Sequence, residues 1–214
     1  MQHKSIFIAA GLAITLLTAC SSAYYNTLEQ FGIHKREILV DRVDDARKSQ
    51  VEAKEQFETA LDKFRSVVDF DGGELEKLYD ELNRELERSE DQANEVSERI
   101  DAIEDVAKAL FREWEDELEQ YSSASIRQQS ERQLRETQQR YEGMLAVMRR
   151  AEARIQPVLN PFRDQVLWLK HNLNAQAIAS LQGEVAVIEG DVAALIADLE
   201  KAIAAADDFM RNTG

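Results

Sequence analysis

Residues 178–209 read IASLQGEVAVIEGDVAALIADLEKAIAAADDF. In that stretch Ile178, Leu181, Val185, Ile188, Val192, Leu195, Leu199, Ala202, Ala206 and Phe209 follow one another in alternating steps of three and four. That spacing puts all ten on one stripe of an α-helix, at the period with which helices pack into coiled coils. It decides the fold because the same period recurs upstream.

From Leu39 the positions Val43, Ala46, Gln50, Ala53, Phe57, Ala60, Phe64 and Val67 form a second seam whose only polar member is Gln50. It stops at Phe70-Asp71-Gly72-Gly73, where paired glycines supply the positive φ angles of a tight reversal. A third seam opens with Leu75, Leu78, Leu82 and Leu86 and weakens around Ser89. It then resumes through Ala93, Val96, Ile100, Ile103, Ala107, Leu110, Trp114, Leu118 and Tyr121. The extra steps near Leu86 and Ser89 read as a stutter, which unwinds a supercoil locally without ending the helix. After Ser122-Ser123-Ala124-Ser125, with Ser125 a candidate N-cap, a further seam carries Ile126, Leu134, Tyr141, Met144, Met148, Ala151 and Ile155.

Pro157 and Pro161 interrupt that last seam. Each removes a backbone donor and crowds the preceding turn, so either the helix kinks and continues or Asn160-Pro161 caps a new one. A kinked continuation is favoured, with the turn near His171-Asn172-Leu173-Asn174, because Leu173 and Ile178 are out of phase. The expectation is an all-α, antiparallel up-down bundle of about four long coiled-coil-like helices over residues 27–214.

Charge fits such a hairpin. Residues 74–120 hold 18 acidic and 6 basic side chains, and residues 126–170 hold 5 acidic and 9 basic. Glu113, Glu115, Asp116, Glu117 and Glu119 precede the second turn, and Arg127, Arg132 and Arg135 follow it. An antiparallel pair of helices brings these blocks together. The alternative is a solvated face on each helix, and exposed pairs contribute only ~0.2–1 kcal/mol in either case.

The N-terminus is of a different kind. Lys4 leads into an apolar run from Ile6 to Leu17, followed by Thr18, Ala19 and Cys20, the only cysteine of the chain. The run falls short of the ~20 residues that span a bilayer and reads as a cleaved signal peptide over residues 1–19. Leu17-Thr18-Ala19-Cys20 resembles a bacterial lipobox. That resemblance implies lipid on the Cys20 thiol, removal of the preceding peptide and acylation of the new amino group. Ser21, in the absence of an aspartate there, implies sorting to the outer membrane with the protein facing the periplasm. The alternative is an ordinary signal peptide with a coincidental cysteine. Residues 20–26 would be the lipidated tether.

Composition excludes several functions. With its one thiol carrying lipid, the mature chain has neither a disulfide nor thiol chemistry to offer. Loss of Lys4 with the leader takes the formal charge from -15 to -16, which argues against nucleic acid as a partner. A di-iron bundle needs Glu-x-x-His on two helices; here His34 and His171 are preceded at that spacing by Phe31 and Trp168. No phosphate loop or nucleophile elbow occurs. No cofactor, metal site or catalytic residue is expected, and the chain reads as a non-enzyme.

Two places remain as candidates. His34-Lys35-Arg36 lies close behind Cys20 and forms a basic patch within reach of membrane phosphates, unless it is ordinary solvated charge. At the opposite tip, Lys170, His171, Asn172 and Asn174 would face Asp69, Asp71 and Glu74. Leu167 and Trp168 fall beside the seam there, suiting a partner-binding surface unless a proline kink turns Trp168 inward. With the lipobox, the stretches Gly32–Val43 and Leu167–Ala177 resemble a family of helical lipoproteins of Gram-negative bacteria grouped as a domain of unknown function. The resemblance covers essentially all of the mature chain and implies no activity or cofactor. The functional expectation is a membrane-anchored envelope scaffold or adaptor with a protein partner. The alternative is a binder of divalent cations or cationic ligands through the acidic surface. The same heptads can also pair between chains, so a homo-oligomer is left open.

Overall fold

The computed structural model describes residues 34–69, 75–174, 178 and 181–213. Among these the chain forms four long helices: α1 (Lys35–Val68), α2 (Leu75–Leu118), α3 (Ala124–His171) and α4 (Val185–Thr213), with no strand. The expected signal peptide, lipobox and tether, and the reversal expected at Asp71-Gly72-Gly73, lie outside the described residues.

Ion pairs give the register. On α1 and α2, Lys35 meets Glu113 at 2.9 Å and Lys63 meets Glu81 at 2.8 Å, so one helix ascends as the other descends. Arg149 of α3 reaches Glu104 of α2 at 2.9 Å and Arg163 reaches Glu90 at 2.6 Å, in the same opposed order. On α1 and α4, Lys54 meets Glu200 and Arg65 meets Glu189, both at 2.6 Å. Each helix therefore touches its neighbour in the chain, and α4 closes on α1, giving an up-down square bundle. Arg36 fixes that closure: its Nε donates to the Thr213 carbonyl at 2.9 Å, satisfying one of the orphan acceptors at a helix end.

All nine seam residues expected on α1 are buried, Gln50 included. The core runs the length of the bundle, with Phe57, Phe64 and Phe209 the largest fully buried side chains. Phe64 meets Phe162 edge to face across the bundle, centroids 5.9 Å apart, a geometry that adds ~0.5–1.5 kcal/mol beyond burial. α3 is one helix of 48 residues that passes through both prolines, and Ile155, Val158, Leu159 and Phe162 around them are all buried.

The ends depart from expectation. The N-cap of α3 is Ser123 rather than Ser125, and its carbonyl accepts from Arg127 N at 3.0 Å. The final seam is not one helix from Ile178. Gly183 and Glu184 form a turn before α4 starts, although Ile178 and Leu181 stay buried. Glycine's poor helix propensity accounts for a break at that point.

Candidate functional site

Among the described residues, exposed large apolar side chains are confined to the two ends of the bundle. Leu167 (57% exposed), Trp168 (39%), Leu173 (38%) and Val187 (57%) stand at the end where α3 finishes and α4 begins. Tyr121 and Ile126 stand at the other, on the α2–α3 hairpin. Between the ends the surface of α1 and α2 exposes polar and charged side chains only.

The first end set follows from the helix period. Phe162, Val166 and Leu169 point into the core, and 100° per residue then turns Leu167 and Trp168 outward. The proline passage does not rotate Trp168 inward. Asn172 ends the helix: its backbone N–H reaches the Leu169 carbonyl at 3.0 Å and its Nδ2 donates to the Trp168 carbonyl at 2.9 Å. Asn174 N then donates to the Asn172 carbonyl at 2.8 Å, which tightens the turn. Lys170 and His171 are exposed in the last turn of α3, where positive charge suits the helix dipole. Of their expected acidic neighbours only Asp69 is described, and no ion pair joins it to either residue.

Leu173, Val187, Ile126 and Tyr121 escaped the sequence reading. Leu173, Ile126 and Tyr121 lie in phase with buried seams, but Leu173 follows the end of α3 and the other two flank the α2–α3 turn, beyond the first described turn of α1. Val187 precedes the buried Ile188 and so faces the other way; that offset is its only signal.

The basic triplet is not a free patch. Lys35 is 5% exposed and its Nζ pairs with Glu113, while Arg36 is committed to Thr213; His34, the α1 N-cap, is exposed. Lys35 is thus turned into the α1–α2 contact, while Arg36 is exposed and ties the start of α1 to the end of α4.

The acidic and basic blocks flanking the second turn do not meet either. Arg127 and Arg135 both bond to Glu131 of their own helix, and Glu115 accepts from Gln138. The hairpin is joined instead by Trp114 Nε1 donating to Ser130 Oγ at 2.8 Å and by Phe111 stacking edge to face on Tyr141 at 5.3 Å. Burial pushes the Tyr141 hydroxyl up to about 12.

Elsewhere charge serves as cross-linking. Asp198 is nearly buried on α4 and accepts from Lys201 and from Arg154 of α3 at 2.8 and 2.6 Å, which hold its carboxyl below the usual range. Lys48 and Arg47 do the same for Asp44. An open groove of about 400 Å³ between α1 and α4 is lined by Glu55, Glu58, Glu200 and Asp207 with Val51 and Ile203 at its floor. Lys54 and Arg47 already pair with two of those four acids. Among the described residues no three His, Cys, Asp or Glu side chains are grouped to hold a metal ion.

These features define an up-down four-helix bundle whose flanks are solvated and whose ends carry the apolar surface. No helix among the described residues is long and apolar enough to cross a membrane. The chain belongs to the DUF2959 family, described as proteins of unknown function, whose sequence profile matches residues 24–213. No curated protein matches the chain, and no solved structure does.

Proposed function

We propose that this protein is a lipid-anchored envelope component that works as a non-enzymatic spacer and adaptor. It is held to the outer membrane through Cys20, faces the periplasm and presents the α3–α4 end to a protein partner. The observation that carries this reading is that, among the described residues, the six exposed large apolar side chains are confined to the bundle ends, with four of them, two Leu, a Val and a Trp, at the end away from the start of α1. Exposed apolar side chains clustered beside polar groups mark partner surfaces, and Trp is over-represented where binding energy concentrates. The start of α1 lies a short tether from Cys20, so the α3–α4 end is the one held away from the bilayer.

Two experiments test the reading. Fatty-acid labelling of the expressed chain should be lost in Cys20→Ser. A photo-crosslinker placed at 168 should trap a discrete partner in intact envelopes, and one placed at Glu98, mid-bundle and exposed, should not. Equal or absent capture at the two positions removes the adaptor proposal.

A further inference from the structure

The polar member of the α1 seam is buried with nothing to bond to. Gln50 is 0% exposed, and neither its Nε2 nor its Oε1 has a hydrogen-bond partner among the described residues. Ser49 beside it is also buried and its Oγ is likewise unpartnered. The contact between α1 and α2 at this height goes to the Ser49 backbone, whose carbonyl accepts from Gln92 Nε2 at 3.1 Å. One to two turns along, a second polar cluster is satisfied: Gln56 Nε2 donates to Glu85 Oε2 at 3.0 Å and to Ser89 Oγ at 3.3 Å. That cluster falls where the seam of α2 stutters. The Gln50 layer differs from it in being polar, closed and unpaired.

A buried amide left without partners destabilises a fold, so two unpaired ends in one core position call for a ligand that meets them. Most of the neighbours are small. Lys54–Glu200 and Arg47–Asp207 set Gln50 level with Ala202 and Ala206 of α4. Gln92 sets it beside Ala93 and Val96 of α2, and Arg154–Asp198 brings Met148 and Ala151 of α3 to about the same height. Ala46 and Ala53 flank it on α1. All six alanines are buried, as are Val96 and Met148, so small side chains predominate in a layer that elsewhere in the core holds leucine and phenylalanine. A buried water needs two to four polar partners and about one probe sphere of space. The two ends of the Gln50 amide supply two.

We propose that the Gln50 amide holds an internal water in the middle of the bundle, and that this hydrated layer fixes the register in which α1 packs against α2 and α4. A polar side chain at a core heptad position penalises every alternative register that leaves it against apolar neighbours. Slipping α1 by one heptad would carry Gln50 to the height now held by Val43 or Phe57, both buried among large apolar side chains. The remaining seam positions of α1 are apolar and impose no such penalty. The same argument separates closure within one chain from pairing with a second copy, because a second copy offers the seam the same heptads.

The test is Gln50→Leu in the full chain, with Gln50→Met as the variant of similar length in case the branched side chain does not fit. Register is read by zero-length carbodiimide crosslinking, which should join Lys35 to Glu113, Lys63 to Glu81 and Lys54 to Glu200 in the parent. In Q50L or Q50M the thermal midpoint should hold or rise by about 2–6 °C. Its crosslinks should spread to partners one heptad away, such as Lys54 to Asp207, and species heavier than the parent should appear in solution. Gln50→Asn should keep the parent pattern. Water-edited NMR of the parent should show bound water at the Gln50 side-chain amide. A Leu or Met variant that keeps the single crosslink set and the parent's mass overturns the register role, and a dry amide overturns the water site.

Discussion

Replacing Pro157 by alanine should stabilise the protein. Pro157 sits exposed in the interior of α3, where it supplies no N–H to the Ala153 carbonyl and its ring crowds that turn. A helix-interior proline costs about 3 kcal/mol relative to alanine. Alanine also frees the unfolded chain, which returns about 0.4–1 kcal/mol of the gain, so the net expectation is about 2 kcal/mol. For a domain of this size each kcal/mol moves the thermal midpoint by about 2–4 °C, a rise of about 4–8 °C. Calorimetry on Pro157→Ala is the assay, with the neighbouring exposed Gln156→Ala as a control expected within about 0.5 kcal/mol of the parent. The reasoning holds that the prolines are tolerated by a core strong enough to carry them. A fall in midpoint would refute it, since it would mean that the bend itself seats Ile155, Val158, Leu159 and Phe162.

Leu199→Ala, at a position with no exposure, should cost about 2.7–5 kcal/mol in urea unfolding, whereas Asp208→Ala on the exposed side of the same helix should stay within about 0.5 kcal/mol. Asp44, Asp198 and Glu81 have carboxyls held low by their cationic partners. Their contribution is complete above the unfolded carboxylate range of about 3.9–4.3 and is lost as pH falls through the folded values, so stability should decline below about pH 4. Tyr141 has the opposite sign: its hydroxyl is raised to about 12 by burial, so its contribution is complete below about pH 10 and is lost as pH climbs toward 12. Midpoints measured between pH 2 and 12 check both edges.

Periodicity made the core legible because burial depends on phase, and phase is written in the spacing of apolar residues. Each expected seam position of α1 is buried, and so are nine of the ten in the opening stretch, Val185 being half-buried. Phase says nothing about where a neighbouring helix stops. Ile126 and Tyr121 obey the pattern and remain exposed because too little lies opposite them. Ion pairing was the least legible feature, for a physical reason. An exposed arginine finds an acid one turn away on its own helix without waiting for tertiary structure, as Arg127 and Arg135 find Glu131. Charge blocks summed along the chain therefore overstate what passes between helices. The basic triplet misled for a related reason: Lys35 and Arg36 begin a helix, and the end of a helix is where orphan carbonyls and neighbouring acids collect.

The proposed anchor makes the two tryptophans rulers of orientation. Trp114 touches Ser130 near the start of α3, and Trp168 lies about 57 Å further along that helix at about 1.5 Å per residue. From Cys20 to His34 the chain reaches at most about 49 Å, at about 3.5 Å per residue, which is less than the separation of the two tryptophans, so any tether short of full extension keeps the Trp114 end the nearer one to the membrane. In vesicles carrying the lipidated full chain and a headgroup acceptor, the Trp168→Phe variant should transfer energy from Trp114, and the Trp114→Phe variant should transfer little from Trp168. Transfer falls with the sixth power of distance, so even a tilted bundle keeps the two apart. Equal transfer from both would mean that the bundle lies flat on the surface. The exposed Leu167, Trp168 and Val187 would then be facing lipid, and the adaptor reading would lose the surface it depends on.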